Sequence, residues 1–288
     1  FAKCFVDTNG TTLLVFNDGV NVMKVSVWGK NESASKTFSV PFAKKIFSDP
    51  YIELDNKNNQ LLFAGFYDNE VGMSEAAAYG FFYKTYDYTL GTLTNQSLTA
   101  FPDSFIQSLT GRLPSQNNNR LYTFSIKKVI QRMDGGVLIA AESSIKDRRE
   151  EPIVSLSSIN PYTSYRTINT FQYNDIIAFS INASGNLEWN SIMRKKQYSE
   201  EDNGFNSSFV CVNLKEQLRF IFPEDISFSS DIDEFALRST GEFKKHTLFE
   251  QEDKDVFLVP KLGKQVAPNE VLIPSIKKGE LRILRVKY

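Results

Sequence analysis

The chain is poor in the residues that most catalytic and metal chemistry uses. Among 288 residues it has one histidine, two cysteines, two tryptophans and four methionines. A Ser/His/Asp or Cys/His site, or a histidine-rich metal site, would have to use His246. No G-x-S-x-G and no H-E-x-x-H accompanies it. It stands in the run FKKHTL on an expected edge hairpin, and an exposed strand histidine is the preferred reading. No catalytic residue, metal ligand or cofactor is therefore expected. Cys4 and Cys211 either pair or stand as two separate buried thiols, and the second is preferred because nothing in the sequence shows that disulfide geometry is met. No apolar run approaches the roughly 20 residues of a membrane helix, so no transmembrane segment is expected. Neither charge is in excess, with 33 Lys+Arg against 34 Asp+Glu and a pI near 6.1. That balance gives no electrostatic footprint for nucleic acid or an anionic membrane. The sequence opens on Phe1 and enters a strand at once, so it reads as processed or cropped, with any signal peptide or lipid anchor outside it.

What is abundant is aromatic: 24 Phe and 12 Tyr. Aromatic side chains suit a pleated, half-buried surface, so an all-β chain is expected. The stretch 126–196 sets the pattern. It reads as strand, Asp134-Gly135-Gly136 turn, apolar strand at 137–141, polar insertion, strand at 175–181, Ala183-Ser184-Gly185-Asn186 turn, strand. A short apolar run bounded by glycines is a strand buried on both faces, and each Gly supplies the positive φ of a tight hairpin. The unit is a four-stranded antiparallel meander, the blade of a β-propeller.

Weaker copies recur. Apolar second strands begin near residues 13, 61, 137, 218 and 270, against a usual propeller period of roughly 40 to 50 residues. The longer intervals hold the insertions. The expected organisation is one β-propeller domain over 1–288, with blades near 1–48, 49–113, 121–199, 204–250 and 254–288. About five repeats are present, and they form either a whole ring or part of a larger one. The segment 103–109 reads as one or two turns of helix and 115–120 as a polar loop. The last unit has three strands, at 256–259, 270–273 and 281–286. Residues 1–6 either complete that blade or belong to the first unit.

Four carboxylates, Asp134, Glu142, Asp175 and Glu188, are candidates for a glycosidase pair. Asp134 sits in a turn and Asp175 at a strand start, where Asp serves local backbone hydrogen bonds, so structural roles are preferred. The acidic clusters at 200–203 and 231–234 lack the alternating D-x-D-x-D-G loop of a Ca²⁺ site and read as solvated. The insertion 143–173 carries Lys146, Arg148, Arg149, Tyr162, Tyr165, Arg166 and Tyr173. Tyr and Arg dominate interface hot spots, and long loops on a rigid scaffold carry function. Arg148, Arg149, Tyr162, Tyr165, Arg166 and Tyr173 are the candidate partner-binding residues. The alternative is an extended hairpin that shields a neighbouring blade.

The run NDII at 174–177, followed by INASGNLEW at 181–189 and Lys195-Lys196-Gln197, resembles a group of uncharacterised cell-envelope proteins of Bacteroidota with an NDI, apolar strand, N-x-x-G-x-x-x-W blade pattern. So do Asp202-Asn203-Gly204-Phe205, Ser207-Ser208, and the strands at 61–67 and 80–83. The resemblance implies an exported protein, periplasmic or outer-membrane-associated, and transfers no catalytic residue. It is compatible with peripheral membrane association. The expected function is a non-enzymatic scaffold subunit with protein partners in the envelope. The alternative is a carbohydrate-binding or carbohydrate-cleaving propeller, which leaves enzymatic activity open.

Overall fold

The computed structural model describes residues 2–19, 21–46, 50–68, 78–112, 121, 123–155, 162–226, 231–250, 256–277 and 279–288. The chain is all-β. Among the described residues twenty-one strands form five antiparallel sheets of three to five strands, arranged in chain order as the meanders that make propeller blades. The first sheet is β1 (Ala2–Val6), β2 (Thr12–Asn17), β3 (Val22–Trp28) and β4 (Lys36–Pro41). The second is β5 (Lys45–Ile46), β6 (Tyr51–Asp55), β7 (Gln60–Asp68), β8 (Gly80–Asp87) and β9 (Thr92–Ala100). The third is β10 (Phe124–Gln131), β11 (Val137–Ser155), β12 (Tyr162–Ile181), β13 (Leu187–Met193) and β14 (Gln197–Glu200). The fourth is β15 (Val210–Asn213), β16 (Gln217–Pro223), β17 (Ile232–Arg238) and β18 (Phe243–Phe249). The fifth is β19 (Lys264–Ala267), β20 (Glu270–Lys277) and β21 (Glu280–Lys287). Among the described residues no helix is long and apolar enough to cross a membrane.

The turns form where the sequence places them. Asp7 Oδ1 accepts the backbone N–H of Asn9 and Thr11, closing the β1–β2 hairpin. Gly10, Gly135 and Gly185 supply positive φ at three hairpin tips. β1 pairs with β2, so the N-terminal strand belongs to the first sheet and the fifth keeps three strands. At 256–259 only an isolated bridge, Leu258 to Ser275, forms instead of the expected strand, and a 3-10 turn follows at Pro260–Leu262. The strand expected over 205–214 is confined to β15, because Glu201, Asn203, Gly204 and Ser208 take positive φ and fold the preceding segment into turns. The polar loop expected at 115–120 lies outside the described residues.

The chain forms two compact units, one of Phe1–Ala141 with Phe179–Asn190, the other of Glu142–Ala178 with Ser191–Tyr288. The first unit holds an aliphatic and aromatic core between its sheets, including Leu13, Val25, Ile52, Phe63 and Tyr86. It also holds a second cluster in which Phe81, Phe101, Phe105 and Phe179 are mutually packed. Phe105 comes from α1 (Asp103–Thr110), which follows Pro102, carries an acid in its first turn and ends on left-handed Gly111. The second unit is centred on Val210, Val212, Ile221, Ile232, Leu258, Val271 and Ile273. Neither cysteine is in a disulfide, but the expected burial is wrong: Cys4 is exposed on β1 and Cys211 is half-buried on β15.

Candidate functional site

The four carboxylates weighed as catalytic acids are each held by a cation. In the first unit Arg132, at the end of β10, bonds both Glu188 on β13 and Asp134 in the β10–β11 turn. Ser180 Oγ donates to Glu188 at 2.9 Å. The Arg132 bond, then Ser180, holds the Glu188 carboxyl below the usual range, while Asp134 is lowered first by the Gly136 N–H and then by Arg132. A general acid at neutral pH needs the opposite shift. In the second unit Asp175 pairs with Arg194 at 2.5 Å, and Glu142 is fully buried against Lys195 at 2.8 Å.

This gives a titration test. A carboxyl whose folded pKa is depressed contributes stability above its unfolded pKa, lost as pH falls through the folded value. Carboxyl-carbon NMR should place the midpoints of Glu188 and Asp134 below ordinary values. Arg132→Ala should raise Glu188 strongly and Asp134 less, since the Gly136 N–H remains. Equal shifts, or none, would contradict the arrangement.

His246 is exposed on β18, opposite Glu234 of β17. The acidic clusters are not simply solvated. Glu201 accepts the Asn169 N–H at 2.5 Å, and Asp202 accepts Gly204 N–H at 2.7 Å and Ser199 Oγ at 2.6 Å. Asp233 and Glu234 are buried in β17, the first paired with Lys245 at 2.7 Å and the second with Arg219. These acids shape turns and strands.

Among the described residues the insertion is strand, not loop. These residues belong to the long strands β11 and β12, and 156–161 lie outside the described residues. β10 has eight residues and β11 nineteen, so more than half of β11 runs past its β10 neighbour. On the other side β14 pairs with residues 170–173 of β12. Beyond that support the hairpin becomes an arm: residues 146–150 and 165–167 are all exposed, with no alternation between buried and open faces. The polar sequence looked like a loop because both faces meet solvent.

Side-chain alternation divides the candidate residues between two faces. Arg149, Glu151 and Arg166 share one. Arg149 pairs with Glu151 at 2.7 Å and with Glu200 of β14 at 2.8 Å, and Arg166 pairs with Glu151 at 2.8 Å. This network ties the arm together. Arg148 and Tyr165 point the other way. Tyr165 is 66% exposed, and the Arg148 guanidinium has no ion-pair partner among the described residues. Tyr173 lies at the base, where Lys261 Nζ sits 4.0 Å from its ring centroid and 2.8 Å from its hydroxyl. The Tyr162 side chain lies outside the described residues.

Two clefts matter in addition, neither visible in the sequence. One in the second unit, about 540 Å³, is lined by Asp175, Arg194, Lys195, Lys196, Glu224 and Lys245 among others. Its arginine and two of its lysines are already paired, Arg194 with Asp175, Lys195 with Glu142, and Lys245 with Glu224 and Asp233. The other, about 590 Å³, lies in the first unit where the ends of the second and third sheets meet. Buried Tyr83 and Thr85 form its floor, and burial pushes the Tyr83 hydroxyl up in pKa, with Gln131 and Thr85 opposing the shift. Gln60, Asn95 and Gln131 wall it at half burial, with Met133 fully exposed on the rim.

No protein-family model matches the chain, and no curated protein matches it in sequence. Solved structures match in fold. The β-propeller domain of the Trilobed protease from Pyrococcus furiosus is 10% identical, with 99% of this chain and 68% of that one covered and a TM-score of 0.40. A luciferin-regenerating enzyme is 9% identical over 99% and 72%, with a TM-score of 0.40. An ulvan lyase, described as a polysaccharide lyase of a new family, is 10% identical over 99% and 70%, with a TM-score of 0.34. At these identities the similarity concerns fold and brings no residue role with it.

Proposed function

We propose that the chain is a non-enzymatic interaction subunit of a larger bacterial cell-envelope assembly and that it docks a protein partner through the β11–β12 arm. The observation that carries this reading is the arm itself. A two-stranded ribbon exposed on both faces buries little apolar surface and is marginal in water. Here four charged side chains hold it in shape, and the opposite face offers an exposed tyrosine and an uncommitted arginine. Those two residue types contribute most at interface centres. The envelope setting is supported by the resemblance of the NDII and INASGNLEW segments to Bacteroidota envelope proteins. Carbohydrate cleavage is the weaker reading, because each carboxylate considered for it is paired with a cation.

The test is affinity capture of the tagged protein from its source cell, after gentle detergent extraction, with mass spectrometry. Wild type should bring envelope proteins in fixed ratio. Arg148→Ala with Tyr165→Ala should fold normally and reduce their recovery at least tenfold, about 1.4 kcal/mol. Recovery of the wild-type protein alone, as a monomer, would overturn the reading.

A further inference from the structure

We propose that the cleft in the first unit binds a neutral saccharide through the side-chain amides of Gln60 and Asn95. This goes beyond the docking role of the arm and does not depend on it. The cleft's volume of about 590 Å³ lies within the range of small-molecule sites, roughly 300–1,000 Å³.

The argument rests on which polar groups are already satisfied. Asp55 Oδ1 accepts the backbone N–H of Lys57 at 2.9 Å, and its Oδ2 accepts Asn58 Nδ2 at 2.7 Å. Arg132 is held by Asp134 and Glu188. Thr85 and Thr94 bond each other at 2.7 Å. The charged groups on the wall are thus engaged within the protein, apart from exposed Lys57 at the rim. Asp55 and the rim Lys57 carry opposite charges and Arg132 is paired, so no cluster of one sign lines the cleft for an ionic ligand.

Gln60 and Asn95 differ. Both line the cleft half-buried, and neither side-chain amide has a hydrogen bond among the described residues. Each carboxamide offers two donors and a carbonyl with two lone pairs. A sugar hydroxyl also donates and accepts, so adjacent hydroxyls and a carboxamide satisfy each other without charge. Half-buried amides facing an open cleft suit exchange of solvent for such hydroxyls. Exposed Met133 adds apolar surface at the rim for the non-polar side of a sugar ring.

The experiment is saturation-transfer-difference NMR with methyl glucoside, methyl galactoside, methyl mannoside, maltose, cellobiose and lactose, each at about 5 mM, where ligands of millimolar Kd are seen. Glucuronate and glucosamine serve as charged comparisons. At least one neutral saccharide should give a saturable signal. Gln60→Leu and Asn95→Leu, tested singly so that one unstable variant leaves the other, should each weaken it at least fivefold while the thermal melt is unchanged. Tyr165→Ala on the arm should leave it intact. No signal from any neutral saccharide, signal confined to the charged sugars, or signal indifferent to both variants would each overturn the proposal.

Discussion

Lys195→Met is expected to destabilise the protein by about 3–5 kcal/mol, the cost of leaving a buried charge without its partner. The side chains of Lys195 and Glu142 are 1% and 0% exposed. The Lys195 ammonium forms an ion pair with Glu142 Oε1 at 2.8 Å and donates to Gln197 Oε1 at 2.9 Å and the Tyr173 carbonyl at 2.9 Å. Two of its donors are hydrogen-bonded and its charge faces the carboxylate. Ser208 Oγ donates to Glu142 Oε2 at 2.5 Å, and Gln197 Nε2 donates to the Pro223 carbonyl at 2.7 Å. Methionine keeps the volume and removes every one of the lysine's bonds. Glu142, 0% exposed, then loses its paired ammonium.

The double variant Glu142→Leu with Lys195→Met separates charge from shape. Replacing a buried pair by apolar groups is often neutral or stabilising by about 1–4 kcal/mol. Here the Ser208 hydroxyl would lose its acceptor, about 1–3 kcal/mol for a group left unsatisfied, whereas the Gln197 carbonyl keeps the Ser208 backbone N–H at 2.7 Å. The double variant should therefore recover part of the loss, and Ser208→Ala on top should recover more. Urea unfolding of the four proteins measures this. A loss under about 1 kcal/mol for Lys195→Met would mean that the pair is open to solvent. The same network joins β11, β12, the segment before β14 and the end of β16. Lys195→Met should therefore loosen the base of the arm, and weaken partner capture, although the lysine does not face the arm's open side.

This network also marks where the sequence stops being informative. Glu142 and Lys195 are visible in the sequence only as individual residues, the first a candidate acid and the second part of the segment that carries the resemblance. Nothing in their spacing says that they meet, because a meander brings together residues whose separation depends on loop lengths. Local chemistry was legible. The Asp-Gly-Gly turn at 134–136, the Ser-Gly-Asn turn at 184–186 and α1 each follow from residues within one turn of each other. β2, β7 and β16 could be read because burial on one or both faces writes an apolar pattern. The arm could not, since strands solvated on both faces carry no such pattern. β14 and β19 were missed for another reason. Four residues are too few to show alternation. The unit-one cleft is assembled from the ends of two sheets, so its amides are scattered through the chain with no common motif.

Phe179→Ala should cost about 3–5 kcal/mol, and its effect should reach the one α-helix described in the chain. Phe179 is fully buried, with its ring centroid 4.7 Å from Phe81, 5.0 Å from Phe105 and 5.7 Å from Phe101. Truncation leaves a cavity walled by three rings that belong to different elements and cannot all move inward. Aromatic pairs add about 0.5–1.5 kcal/mol each beyond area burial, without simple additivity. α1 has eight residues, below the roughly 12–15 at which an isolated helix becomes even marginal. It persists because Phe105 and Ile106 are buried, and Phe105 rests on Phe179. Hydrogen exchange should therefore show loss of protection over 103–110 in Phe179→Ala before the β7–β8 ladder opens. Phe179→Leu retains most of the volume, should cost less than about 1.5 kcal/mol, and should keep the helix protected. If the helix kept full protection in Phe179→Ala, the cluster would not be what holds it, and Ile106 would be the contact to remove next.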